Sequence, residues 1–321
     1  MKHALTTSLL AAALLGAMPA RAADNAADSA LVERGRYLAT AGDCVACHTA
    51  PGGKAMAGGL ALASPVGAIY STNITPSKTH GIGNYTLQQF SNAVRHGKRA
   101  DGANLFPAMP YTSYAKTSDE DVAALYAFFM QGVAPVDAAA PATALPFPFN
   151  LARPFLGVWN ALFLDAAPYQ ADAAQSAEWN RGAYLAQGLA HCSTCHTPRN
   201  LLMAEDLKRS LGGSELGGWY APNITPDANS GIGNWSAPDL VRYMSGQPVP
   251  GKGSAAGPMV EAIDHSLRHL TPADLQAIAV YSSPCPPWPM PVPGSRPTAM
   301  AARPTPLPPS AAWPCPRSTT P

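Results

Sequence analysis

Two pentapeptides in this chain bring thiols and an imidazole together at a spacing suited to one kind of chemistry. Cys44-Val45-Ala46-Cys47-His48 and Cys192-Ser193-Thr194-Cys195-His196 each place two cysteines three residues apart, with a histidine directly after the second. The thiols of Cys-x-x-Cys-His can add to the vinyl groups of a porphyrin, and the adjoining imidazole can ligate its iron. A redox dithiol of the thioredoxin kind wants a strand–helix–strand setting and has no need of the histidine. Structural zinc would draw two Cys-x-x-Cys pairs onto one metal, yet these pairs stand 148 residues apart. A disulfide closed within four residues would be strained. Covalent haem uses all three side chains of each motif.

The motifs are embedded in a longer internal repeat. Arg34-Gly35-Arg36-Tyr37-Leu38-Ala39 returns as Arg181-Gly182-Ala183-Tyr184-Leu185-Ala186. Asn73-Ile74-Thr75-Pro76 returns as Asn223-Ile224-Thr225-Pro226, and Gly81-Ile82-Gly83-Asn84-Tyr85 as Gly231-Ile232-Gly233-Asn234-Trp235, both at an offset of 150. A period this long means duplicated domains and not a solenoid.

Each copy needs elements to hold its motif. Residues 29–41 have helical periodicity through Leu31, Arg34, Leu38 and Ala41, with Gly35 leaving a spot where another helix can cross closely. Ser118-Asp119-Glu120-Asp121 supplies helix-start chemistry for a closing helix that carries Val122, Leu125, Tyr126 and Phe129 on one face. Thr271-Pro272-Ala273-Asp274 starts its counterpart, with Leu275, Ile278, Ala279 and Tyr281 facing inward. The Asn-Ile-Thr-Pro and Gly-Ile-Gly-Asn stretches read as tight loops.

An electron carrier needs a second axial ligand on its iron. Met109, between Pro107 and Pro110, sits in a stiffened loop that can present sulfur. Met259 lies 150 residues further on. The expected iron ligands are therefore His48 with Met109 and His196 with Met259. Met56 follows His48 too soon, and Met130, Met203 and Met244 read as packing. His80, His96, His191, His265 and His269 lack repeat partners and read as surface or loop residues. Arg95 and Lys98 are the expected partners of a haem propionate. His–Met ligation tends to raise the reduction potential, and two such haems are one-electron relays. No Ser-His-Asp pattern, phosphate loop or dinucleotide fingerprint is present, so no catalytic substrate site of the chain's own is evident.

Composition narrows the partners. The 321 residues carry 21 Lys+Arg against 20 Asp+Glu, which leaves no basic footprint for nucleic acid. Lys2 and His3, the apolar stretch 9–17 and Ala20-Arg21-Ala22 read as a secretory leader with its cleavage site. Residues 155–164, the best later candidate for a membrane span, are too few to cross a bilayer. These features point to export into a bacterial periplasm.

From about residue 29 to 281 the chain resembles the cytochrome c subunit of bacterial membrane-bound dehydrogenases, which serves alcohol, aldehyde, gluconate and sorbitol dehydrogenases. The resemblance rests on residues 34–49, 106–114, 174–200 and 257–281, and on the connector 145–163. It implies a partner subunit that oxidises substrate with flavin or pyrroloquinoline quinone and passes electrons along the haems towards ubiquinone at the periplasmic face of the inner membrane. By it, Cys44, Cys47, His48 and Met109 hold one haem c, and Cys192, Cys195, His196 and Met259 a second. Peripheral association with the membrane is compatible with it.

The expected fold is mostly α: two tandem class I-like cytochrome c domains, then a disordered proline-rich tail. The boundaries read as leader 1–22, first domain 29–136, linker 137–177, second domain 178–282 and tail 283–321. Family members usually carry a third Cys-x-x-Cys-His domain. Here residues 284–321 hold 14 prolines in 38 residues and no Asp or Glu, a composition that forms neither helices nor a core. A change of reading frame near residue 282 is the preferred account. Cys285 and Cys315 read as incidental. Two other functions remain open: a free soluble dihaem shuttle, and a dihaem peroxidase, which would need an open distal site where both copies offer a methionine.

Overall fold

A computed structural model describes the backbone of residues 18–283 and the side chains from residue 28 onward. Most of the leader, and the tail with Cys285 and Cys315, lie outside the described residues. The opening helix α1 (Met18–Ala41) starts eleven residues before the expected Ser29, so the backbone of the expected cleavage site is helical. After it come α2 (Cys44–Cys47), the hairpin β1 (Ala61–Ser64) and β2 (Gly67–Tyr70), α3 (Leu87–His96), α4 (Tyr111–Tyr114) and α5 (Asp119–Ala127). A π-helical turn, Phe128–Gly132, continues α5.

The linker carries two 3-10 turns, Phe149–Leu151 and Arg153–Phe155, and one α-helix, α6 (Leu156–Phe163). The second repeat then runs through α7 (Ala177–Gln187), α8 (Cys192–His196), the hairpin β3 (Ser214–Leu216) and β4 (Trp219–Ala221), α9 (Ala237–Met244), α10 (Pro258–His265) and α11 (Pro272–Ser282). Both hairpins are antiparallel, with Ala61 opposite Tyr70 and Ser214 opposite Ala221. Helix dominates as expected; the hairpins were not anticipated, because three- or four-residue strands leave too short an alternation to read. Among the described residues no helix is long and apolar enough to cross a membrane.

The same two crossings frame each repeat. At Gly35 in α1 an added Cβ would lie 1.9 Å from the carbonyl oxygen of Ala124 in α5; at Gly182 in α7 it would lie 1.9 Å from that of Ala277 in α11. Only glycine lets backbone meet backbone so closely. The partner helices start on caps that the sequence announces: Ser118 accepts from the Asp121 amide and Thr271 from the Asp274 amide. Val122, Leu125, Phe129, Leu275, Ile278 and Ala279 are buried. Leu31 is not part of the buried face but exposed, and Arg34 points to Asp121, which it pairs through Nε at 2.8 Å.

The repeats are packed on one another, not strung on a tether, and their contact is reciprocal. Tyr37 donates to Asp274 and accepts from the Thr271 amide, while Tyr184 donates to Asp121 and accepts from the Ser118 amide. Arg181 pairs with Asp274 as Arg34 does with Asp121. Each buried carboxylate is thus held by an arginine of its own repeat and a tyrosine of the other. Charge-assisted bonds of this kind are the stronger class, and the low-dielectric setting makes loss of one partner costly. One contiguous apolar cluster runs through both repeats, from Leu38 and Leu125 to Leu185, Leu189 and Ile278.

Candidate haem sites

In the first repeat Asp43, in the left-handed region at φ 51°, turns the chain off α1 and into α2, which is the Cys-x-x-Cys segment itself. His191, at φ 36°, makes the same turn into α8. The four cysteines are free and half-buried. Burial pushes the Cys44 thiol up to about 12 and those of Cys47 and Cys192 to about 11; Cys195 is raised as well, burial again being the main cause. A redox dithiol needs the opposite, a thiol pKa lowered by electropositive surroundings.

The histidines are oriented alike. His48 Nδ1 lies 2.7 Å from the carbonyl oxygen of Thr72, and His196 Nδ1 lies 2.7 Å from that of Pro222. Thr72 and Pro222 stand at the repeat offset, each directly before an Asn-Ile-Thr-Pro segment. A carbonyl can only accept, so Nδ1 carries the proton and the neutral ring keeps its lone pair on Nε2. Burial lowers both histidine pKa values and favours that neutral form. Fixing one ring nitrogen through a backbone acceptor is how a metal-ligating imidazole is oriented.

Cys44, Cys47, His48 and Met109 line a single cavity of about 570 Å3, within the usual size of a cofactor site, roughly 300–1,000 Å3. Ile74, Ile82, Phe90, Leu125 and Phe129 make its walls mostly apolar. The residues present therefore fit a flat, largely apolar group attached at two thiols, with an imidazole and a thioether to hand. Met109 sits in the turn before α4. Met259 is the second residue of α10 and is half-buried against the shared apolar cluster, so the two methionines match in offset and differ in local structure.

The linker is part of the first cavity. Asn73 donates to the carbonyls of Val136 and Ala138, and the Thr143 hydroxyl accepts from the Tyr70 amide. Residues 139–143 thereby become one wall of the cavity. Further on, the fully buried Tyr111 donates to Asn160 of α6, and Trp159 donates to the Leu202 carbonyl of the second repeat.

Several expectations need correction. Arg95 does not reach the cavity; it pairs with Asp119 and Ser91. Lys98 is exposed and is not among the residues that line the cavity. The arginines that line the cavity are Arg99 and Arg153; His80 is an exposed turn residue as expected and stands at the cavity's edge. His191 lies inside the seam between the repeats, its ring 5.6 Å from that of Tyr114, and burial depresses it to about 4. Met203 is exposed, while Met244 is buried as expected. The Thr72 and Pro222 carbonyls were missed because a backbone acceptor has no side-chain signature, although the flanking repeat marked the place. Asp43 was missed as well. It lines the cavity with one carboxylate oxygen buried and unpartnered, and burial, with Glu261 nearby, raises it to about 7.

Helices crossing at glycine beside a Cys-x-x-Cys-His turn frame each of the two repeats. Residues 32–132 match the cytochrome c family model. The chain is 53% identical over 279 residues to the fructose dehydrogenase cytochrome subunit of Gluconobacter japonicus, covering 86% of this chain and 57% of that one. It is 46% identical over 286 residues to the gluconate 2-dehydrogenase cytochrome c subunit of Pantoea cypripedii, covering 85% and 64%. It is 38% identical over 255 residues to a dihaem c-type cytochrome of Cereibacter sphaeroides, covering 77% and 83%. The chain belongs to the family of cytochrome c subunits of bacterial membrane-bound dehydrogenases. It spans less than two thirds of the length of the two dehydrogenase subunits.

Proposed function

We propose that the chain is a dihaem c-type cytochrome that relays electrons from a partner dehydrogenase subunit towards ubiquinone or another downstream acceptor, at the periplasmic face of the inner membrane. Haem iron, when bound, supplies a one-electron couple at each site. Cys44 and Cys47 hold the first porphyrin by thioether bonds, and Cys192 and Cys195 the second. His48 and His196 present Nε2 to iron, and Met109 and Met259 present sulfur. The apolar walls of the first cavity keep water from the metal. The observation that carries the reading is the paired geometry at His48 and His196, each Nδ1 fixed 2.7 Å from a carbonyl oxygen beside its Cys-x-x-Cys turn.

Mass spectrometry of the protein exported from cells competent in cytochrome biogenesis tests it. The mature chain is expected to carry the mass of two haems, and the paired substitutions Cys44→Ala with Cys47→Ala, or Cys192→Ala with Cys195→Ala, each to lose covalent attachment in their own repeat only. A colourless product without adducts overturns the proposal. The same measurement reports where the leader is cut and whether residues 284–321 are present.

A second reading, a dihaem shuttle not held in a dehydrogenase complex, is favoured by the match over 83% of the length of the Cereibacter cytochrome. Co-purification with a large dehydrogenase in the membrane fraction supports the first reading; a haem-loaded protein found alone supports the second.

A further inference from the structure

The first cavity holds two cations that neither covalent attachment nor iron ligation uses. Arg99 comes from the turn after α3, and Arg153 from the linker. Arg153 is fixed in place: Nη1 donates to the Asn104 carbonyl at 2.7 Å, and the guanidinium carbon stands 4.5 Å from the centre of the Phe106 ring. Its other N–H groups have no partner among the described residues. Arg99 pairs with Asp101 at 2.6 Å. Burial lowers the Arg153 pKa, the positive charge of Arg99 adds to that, and Asp101 opposes it. Two guanidinium groups thus share one acidic neighbour on the wall of an otherwise mostly apolar cavity. An arrangement of this kind is relieved by an anion, and a carboxylate suits the planar fork of an arginine.

We infer that Arg153, assisted by Arg99, forms an anion subsite for the carboxylate-bearing edge of the haem in the first repeat, and that through it the linker raises that haem's reduction potential. The inference rests on the haem reading above. Reduction removes one positive charge from the iron centre, so a fixed cation beside it favours the reduced form. The second repeat has no guanidinium at the matching turn. There the Val249–Gly253 bridge stands where the first repeat has Lys98–Asn104, and Lys252 within it donates to the Asn234 carbonyl.

Potentiometric titration of the full, haem-loaded chain tests this with Arg153→Gln, Arg153→Lys and Arg99→Gln. Arg153→Gln is expected to lower one of the two midpoints by about tenfold in the reduction equilibrium, 59 mV for one electron, and to leave the other in place. Arg153→Lys should restore most of the shift. Arg99→Gln should give a smaller fall in the same midpoint, because Arg99 is half-exposed and already paired. Optical spectra before and after substitution report whether histidine–methionine ligation survives. If Arg153→Gln disturbs the linker, Arg99→Gln, which anchors nothing there, still reads the charge effect. Unchanged midpoints, equal movement of both, or no recovery with lysine overturns the inference while leaving the haem reading intact. Absence of haem from the unsubstituted protein overturns the reading itself.

Discussion

In the first repeat the buried Asn73 reaches out of its own loop to the carbonyls of Val136 and Ala138, and so pins the linker across the cavity. Its counterpart Asn223 turns back on Ser230 of its own loop. Part of the two loops is alike: each asparagine Oδ1 accepts from the threonine two residues on, and Ile82 and Ile232 donate to Thr75 and Thr225. A duplicated scaffold thus has one copy closed by a segment that belongs to neither. The skeleton that holds Cys-x-x-Cys-His is common to both, and the covering of the site is where they diverge.

The shared part of that comparison predicts the largest effects. Gly35→Val and Gly182→Val should each cost about 4 kcal/mol or more, since both force a helix off the backbone it touches. Chemical denaturation should show the two midpoints falling together, and a tolerated substitution at either site would break the equivalence. The residues before the two Cys-x-x-Cys motifs differ more. His191 is held neutral to about 4, below its unfolded value near 6.5. Protons therefore bind the unfolded chain preferentially between about pH 6.5 and 4, and stability falls as pH drops through that window. The loss at pH 4 is on the order of 3 kcal/mol. His191→Asn, which keeps the left-handed turn, should flatten the acid limb of a stability–pH curve; an unchanged limb would remove His191 from the seam.

Smaller effects sharpen the contrast over the linker. Asn73→Ala should cost about 2 kcal/mol, and Asn223→Ala about half of that, because the buried Asn73 ties another segment of the chain to its loop whereas the half-buried Asn223 bonds within its own. Comparable losses would mean the linker contributes little. The smallest test concerns the seam itself. Tyr37→Phe and Tyr184→Phe should each cost about 1 kcal/mol, by equal amounts if the reciprocal contact is real in solution, and thermal unfolding resolves the pair.

Much of the site was readable because its chemistry is local. Cys44, Cys47 and His48 need only be neighbours in the chain, and repetition at Cys192, Cys195 and His196 removed the accident. Gly35 was legible as a crossing point for the same reason: an unmatched glycine in an amphipathic helix leaves a visible gap. Arg95 and Lys98 show the limit. They lay close in sequence to the histidine that drew attention to them, but helix α3 turns Arg95 towards Asp119, and of the two arginines that do reach the cavity one is the neighbouring Arg99 and the other, Arg153, comes from a linker more than fifty residues away. His191 likewise gives no sign in the sequence of being buried, because the second surface that covers it belongs to the other repeat.

The sequence by itself determined that this protein carries two thiol–imidazole motifs on duplicated helical frames, since covalent attachment and helix capping depend on residues a few positions apart. The tertiary structure decided the rest. It set which backbone carbonyls fix the imidazoles, how Tyr37 and Tyr184 cross to bind the two repeats face to face, and how the linker comes to wall the cavity of the first repeat. Those outcomes depend on which distant segments exclude water from the same place, and that is settled only when the whole chain packs.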